Sequence, residues 1–290
     1  MIRVGVVGVG NLGQHHARNY AALEACTLVG VVDTDEARCR EIAKKNRCQA
    51  FRSPSELLGK VDAVSVVVPT ALHSEVARPF LEAGVHCLVE KPITTNLAEA
   101  DALIAAARKS GAVLQVGHIE RFNPALLAIK EHQDEPLFIR ADRLGPYSPR
   151  NTDVDVVLEL MIHDLDIVLA MVGRKVVRVQ AVGLAVLSRT EDIADVRLEF
   201  EGGCVAHLTA SRVTMEKQRK IRLFTRKGYL SVDYLAKTAK RYTLKEGADP
   251  SSAASLVGLY RMVETESLKI KDEEQLRLEL LAFLDAIRKG

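Results

Sequence analysis

No apolar run in this chain approaches the roughly 18 residues that a membrane span needs. A leader-type segment is not expected either, because the N-terminus goes straight into the strand-like run Ile2–Val7. An excess of charge of one sign is missing too. The net charge is +2 with both signs mixed along the chain, which argues against a nucleic acid or a membrane surface as the main partner. The cysteines Cys26, Cys39, Cys48, Cys87 and Cys204 are odd in number and form no Cys-x-x-Cys pair. Disulfide and zinc readings are therefore weak, and a reducing cytoplasm fits. Internal repeats and low-complexity tracts are absent. What is present is an ordinary globular composition, 48% hydrophobic and 27% charged over 290 residues, enough for two domains with a core each.

The chain divides by hydrophobic period. Ile2–Val7, Leu28–Val32, Ala63–Val68, Val85–Val89 and Val113–Val116 are short apolar runs separated by helical patterns. Continuous aliphatic strands alternating with helices predict a parallel sheet covered on both faces, hence an α/β doubly wound Rossmann sheet. After Pro124 the pattern changes. One helix is expected over Val156–Val172. Consecutive strands follow from Val176 to Tyr234, with turns at Glu201-Gly202-Gly203 and Arg226-Lys227-Gly228. This predicts an α+β domain with an open, mainly antiparallel sheet. The expected division is residues 1–118 for nucleotide binding and 119–290 for substrate binding and oligomerisation. A last helix near Asp272–Lys289 has Leu276, Leu280, Phe283 and Ile287 on one face.

Gly8-Val9-Gly10-Asn11-Leu12-Gly13 follows a strand and opens a helix. In that setting Gly-x-Gly-x-x-Gly is a pyrophosphate cradle, with the helix N-terminus offering amides to the phosphates. Asp33 ends the second strand, where a carboxylate accepts from both ribose hydroxyls and repels a 2′-phosphate. That favours NAD over NADP, although Arg38 lies close by. Pro69, Thr70 and His73 follow the third strand as candidate cofactor contacts, with helix capping as the alternative for Thr70.

Val89-Glu90-Lys91-Pro92 places a lysine at the carboxyl end of a buried strand, where open α/β sheets bind ligands. Lys91 is thus a candidate for chemistry, with Glu90 and Lys91 also near the cofactor. A proline-preceding bond is the usual place for a cis peptide. Glu159 and His163, four apart on a helix, share a face, and Asp166 follows one turn later. A histidine flanked by carboxylates is oriented for proton transfer. Asp164 is expected to face solvent. A metal held by Glu159 and His163 lacks further nearby ligands. Dinucleotide, lysine and histidine together suggest hydride transfer, with Lys91 and His163 sharing the roles of general base and alkoxide partner. The competing reading is a silent NAD-binding regulator or scaffold, which would need neither residue.

These motifs, in order and at these intervals, resemble the Gfo/Idh/MocA oxidoreductase family over nearly the whole chain. The resemblance implies a Rossmann domain, a second domain whose exposed sheet face forms dimers or tetramers, and sugar, cyclitol or nucleotide-sugar substrates. In that family the residue four before the histidine is usually Asp, where this chain has Glu159. The family also usually continues beyond Ala286–Gly290, which implies a missing final segment. Gly117-His118-Ile119-Glu120-Arg121-Phe122-Asn123-Pro124 and Asp142–Arg150 further resemble members that oxidise the 3-hydroxyl of UDP-N-acetylglucosamine ahead of lipid A. An inositol or free-sugar dehydrogenase is the alternative enzyme. Arg121, Arg143 and Arg150 are then candidates to grip a diphosphate, with Asn123 and Tyr147 lining the site. Surface solvation is the alternative for each arginine, and helix capping for Asn123.

Overall fold

The computed structural model describes the chain apart from residues 131, 133, 149–153, 253 and 254. Two compact units emerge, Met1–Ile119 with Glu273–Gly290, and Glu120–Asp272.

The first unit alternates strand and helix: β1 (Ile2–Val7), α1 (Gly13–Ala22), β2 (Cys26–Val32), α2 (Glu36–Lys45), β3 (Gln49–Phe51), β4 (Ala63–Val66), α3 (His73–Glu82), β5 (His86–Glu90), α4 (Leu97–Ser110) and β6 (Leu114–Gly117). All six strands pair in parallel in the order β3-β2-β1-β4-β5-β6, the order of a dinucleotide-binding doubly wound sheet. The strands are apolar on both sides because both faces are covered. Val4, Val6 and Leu88 pack towards α1, while Val7, Val64 and Val66 pack with Phe80 and Leu103 of α3 and α4.

The second unit contains α5 (Pro124–Lys130), β7 (Phe138–Leu144), a π-helical turn (Val157–Met161), α6 (Ile162–Val172), β8 (Val176–Leu184), β9 (Ile193–Phe200), β10 (Val205–Ser211), β11 (Gln218–Thr225), β12 (Gly228–Asp233), β13 (Thr238–Leu244), α7 (Leu256–Met262) and β14 (Val263–Ser267). Its eight strands run β14-β13-β12-β11-β7-β10-β9-β8. Among the described residues only β7 and β10 pair in parallel; the remaining pairs are antiparallel. Alternation is clear in β9, where Ala194, Val196, Leu198 and Phe200 point into the core shared with Ile167 and Val168 of α6. On the other face Phe138, Phe224, Tyr229 and Tyr242 form a ladder across four strands, with ring centroids 5.9, 5.4 and 4.3 Å apart.

Sequence and structure differ in several places; β3, α5 and α7 were not expected, and three further differences bear on the argument. The expected single helix over Val156–Val172 opens with a π turn before α6 begins at Ile162. Strands β13 and β14 were not expected, because Thr238–Leu244 and Val263–Ser267 carry mostly polar or charged residues, as strands near a sheet edge do. The last helix, α8 (Gln275–Lys289), belongs to the first unit rather than to a domain 119–290. Its apolar face was read correctly, but Leu276, Leu280, Phe283 and Leu284 pack into the core of β1 and α1. Each such side chain contributes about 1.5–3 kcal/mol on full burial. Arg18 of α1 pairs with Glu274 at the start of this helix.

Candidate cofactor and catalytic sites

The glycine loop has three distinct needs. Gly8 has φ +85°, and a Cβ there would lie 2.4 Å from the Val67 carbonyl oxygen. A Cβ on Gly13 would lie 1.8 Å from the Gly8 carbonyl oxygen. These two glycines let the loop close on itself and on β4. A Cβ on Gly10 would meet nothing within 4 Å, so the space beside it is open to a ligand. Asn11 and Leu12 are exposed where α1 begins. Asp33, at the end of β2 and 9% exposed, faces this loop. Its Oδ2 accepts from the Val9 amide at 2.8 Å and its Oδ1 from the Asp35 amide at 2.9 Å. Arg38 Nη2 donates to Oδ1 at 2.7 Å. Burial alone would raise this carboxyl, but Arg38 and the two amides outweigh it and hold it below the usual carboxylate range. Open backbone at Gly10, a helix N-terminus and an anionic Asp33 suit the pyrophosphate and ribose of NAD.

Lys91 follows the last residue of β5 and is half-buried. The Lys91–Pro92 bond is cis. Glu90, the last residue of β5, is 8% exposed. Its Oε2 accepts from the Lys91 amide at 3.2 Å, and its Oε1 lies 3.2 Å from Nε2 of the buried His16 of α1. Space for this carboxylate comes from Gly117, its partner across β6, where a Cβ would fall 2.7 Å from Glu90 Oε1. Pro69 and Thr70 lie at the far end of β4; Pro69 is exposed and Thr70 does not cap α3. The expectation that His73 touches the cofactor does not fit. It is 1% exposed, with Nε2 2.9 Å from the Val68 carbonyl and Nδ1 2.9 Å from the Pro92 carbonyl. It ties the segment after β4 to the segment after β5, and so braces the turn that carries Lys91.

In the second unit His163 is the second residue of α6 and half-buried, and Glu159 lies in the π turn before it. Glu159 Oε2 accepts from Arg212 Nη1 at 3.1 Å. Asp164 does not face solvent. It is 3% exposed and receives both Nε (2.7 Å) and Nη2 (3.0 Å) of Arg143. Arg143 is 2% exposed, also reaches Glu120 at 3.4 Å and lies over the Tyr234 ring. Burial works against its charge, and the bidentate Asp164 carboxylate restores it, raising the guanidinium further. An arginine committed in this way is a core ion pair, so the diphosphate role expected of Arg143 does not fit. Arg121 is exposed but bidentate to Asp166, with both bonds 2.6 Å. Asn123 takes the capping alternative: its Oδ1 accepts from the Ala125 amide at 3.0 Å at the start of α5, and Nδ2 donates to Glu120. Tyr147 is 39% exposed. Arg150 lies outside the described residues.

Sequence reading missed Arg212 and Asp192 altogether. Asp192 is fully buried, and its Oδ2 accepts from the amides of Val186, Leu187 and Ser188 at 2.8, 2.6 and 2.8 Å. Burial opposes this carboxylate, but the Ser188 amide, the Arg212 guanidinium, the Ser188 hydroxyl and the Leu187 amide overcome it, leaving the carboxyl far below the usual range. The available signal was weak: a lone Asp before a strand and a lone Arg after one.

Comparison with known proteins agrees with the fold. Residues 2–118 match the model of the oxidoreductase family with an NAD-binding Rossmann fold, and residues 136–231 match the Gfo/Idh/MocA C-terminal domain. The chain is 42% identical over 287 residues to a UDP-N-acetylglucosamine 3-dehydrogenase of Acidithiobacillus ferrooxidans, covering 99% of this chain and 88% of that protein. A solved structure of that enzyme superposes with a TM-score of 0.89 at 41% identity, over 99% of this chain and 89% of the other. A myo-inositol 2-dehydrogenase of Thermotoga maritima is 29% identical, over 85% of this chain and 79% of that protein.

Proposed function

This chain belongs to the Gfo/Idh/MocA oxidoreductase family, and we propose that within it the chain is an NAD-dependent dehydrogenase acting at C3 of UDP-N-acetylglucosamine or a close nucleotide sugar. The observation that carries this reading is the 42% identity, spread over 99% of the chain, to an enzyme of that activity. The inositol dehydrogenase likeness is lower and shorter, which ranks the free-polyol reading second. When bound, NAD supplies the hydride acceptor. The chain's own residues then handle the proton and the charge at the C3 oxygen. Lys91 and His163 share two tasks: one removes the hydroxyl proton, and the other stabilises the alkoxide as it forms. Glu159 orients His163. Gly8, Gly10 and Gly13 with the start of α1 cradle the pyrophosphate, and Asp33 reads the ribose. Tyr147 and Arg150 contact the diphosphate-sugar.

In this reading the enzyme works in the cytoplasm, on the way to 3-amino sugars of lipid A. A homodimer or homotetramer forms through the open sheet face, where the Phe138–Tyr242 ladder supplies the apolar surface that such a face needs. Among the described residues no helix is long and apolar enough to cross a membrane.

The test is a panel of UDP-sugars and free polyols with NAD, followed by absorbance of the reduced cofactor. UDP-N-acetylglucosamine should be turned over best; a preference for a free polyol would refute the assignment. In the same panel Lys91→Met should lower kcat by roughly 10²–10⁴-fold while NAD affinity stays within a few-fold. Arg150→Ala should raise KM for a diphosphate-sugar and hardly for a free sugar.

A further inference from the structure

Arg212 follows the last residue of β10 and is 4% exposed. A guanidinium has five N–H donors in a fixed fork. Among the described residues five acceptors meet it. Nε donates to Asp192 Oδ1 at 2.8 Å. Nη1 donates to the Val154 carbonyl at 2.8 Å and to Glu159 Oε2 at 3.1 Å. Nη2 donates to the hydroxyls of Ser188 at 2.9 Å and Thr190 at 2.8 Å. The acceptors come from two segments: the stretch leading into the His163 helix, and the loop between β8 and β9.

The loop side of this fork is a firm anchor. Three consecutive amides and the Ser188 hydroxyl, at 2.7 Å, hold Asp192. The Arg212 amide donates to the Asp192 carbonyl at 2.9 Å, and the Val156 amide donates to the Glu191 carbonyl at 3.0 Å. The helix side is unusual. Glu159 sits in a π turn, a wide and infrequent backbone that recurs at functional sites. The Asp155 carboxylate caps that turn by accepting from the Val157 and Leu158 amides, both at 2.9 Å. Arg212 therefore bridges a densely hydrogen-bonded loop to the one carboxylate that precedes His163 by four residues.

We propose that Arg212 is a positioning residue for the dehydrogenase reaction, acting through Glu159. It sets where the Glu159 carboxylate stands relative to the His163 helix, and the Asp192 loop is the fixed point it pulls against. A lysine would keep the charge, but as a single point it cannot span the Asp192 and Glu159 carboxylates while also serving the other acceptors. The inference rests on the reading of Glu159 and His163 as a proton-handling pair.

A double-mutant cycle in the full chain separates the two ideas. Wild type, R212K, E159Q and the double variant are compared for kcat, for KM of NAD and for thermal unfolding, using the best sugar of the panel. A 1 Å misplacement of a reacting group costs about 10²-fold, so R212K should lower kcat by roughly 10–10²-fold with KM for NAD unchanged. Residues in one network are non-additive, so in the E159Q background R212K should lower kcat by less than about threefold more. If R212K does not yield folded protein, Thr190→Val takes its place, removing one acceptor of Nη2; a loss of kcat that vanishes in the E159Q background is again expected. Wild-type kcat in R212K, or a full multiplication of the two losses, overturns the proposal while leaving the Glu159 reading intact. Wild-type kcat in E159Q overturns the Glu159 reading and this proposal together. Absence of turnover with every sugar defeats the proposed function itself.

Discussion

The two units hold their buried polar groups in different ways. In the first, backbone does most of the holding. Asp33 rests on the Val9 and Asp35 amides together with Arg38, Glu90 on the Lys91 amide beside His16, and His73 between two carbonyls. In the second, arginines carry more of it, although three backbone amides also hold Asp192. Arg143 serves Asp164 and Glu120, Arg121 serves Asp166, and Arg212 serves Asp192 and Glu159. A side chain removed from a backbone partner leaves a modest vacancy. A carboxylate removed from a buried arginine leaves a stranded charge, which is the larger penalty.

The largest expected effect tests that asymmetry. Asp164→Ala leaves the buried Arg143 with the longer Glu120 ion pair and the Tyr234 ring, and should cost about 3–5 kcal/mol in urea unfolding. Glu90→Gln in the first unit should cost only about 1 kcal/mol. Similar losses at both sites would erase the distinction. Next comes Asp33→Ala, which removes the ribose acceptor and leaves Arg38 beside the cofactor loop. NAD affinity should fall and NADP affinity rise, with a combined change of preference of about tenfold or more, in line with roughly 1.4 kcal/mol. Unchanged preference in cofactor titrations would show that Asp33 does not read the ribose.

A further effect is in pH. Asp192 and Asp33 both have folded carboxyls held below the ordinary aspartate value of 3.8, Asp192 much the further. A depressed folded value contributes stability that is fully present above the unfolded value and is lost as pH falls through the folded one. The advantage of wild type over Asp192→Asn should therefore be constant from neutrality to about pH 5 and shrink steadily below 3.8, as read by unfolding midpoints. The same series for Asp33→Asn should show a shallower and narrower decline.

The contrast also explains what could be read in the sequence. In the first unit several partners are neighbours in the chain or belong to the glycine-loop motif, although Pro92 lies 19 residues from His73. Asp33 binds the amide two residues on, and Glu90 the amide next to it. The glycine loop needs its strand and helix context, which periodicity supplies. So the Rossmann sheet, its cofactor loop and the location of Lys91 at a strand end were legible. In the second unit the partners are 20 to 53 residues apart, and no local pattern joins Arg212 to Asp192 or to Glu159. Arg143 reads as a surface cation until β7 and α6 are packed together. The π turn was hidden for a related reason: a helix one residue wider keeps much the same apolar spacing. Strands β13 and β14 bury too few side chains to show an alternating pattern.

The return of α8 to the first unit has a consequence for how the protein can be taken apart. The second unit is an insertion in the first, entered after Ile119 and left before Glu273. A fragment ending near residue 118 would expose the surface that Leu276, Leu280, Phe283 and Leu284 cover, and would be prone to aggregate. Cutting the chain once near residue 272 breaks its continuity but leaves that contact in place. The nucleotide-binding unit would then behave as a split protein, with the closing helix as its smaller, separately supplied half.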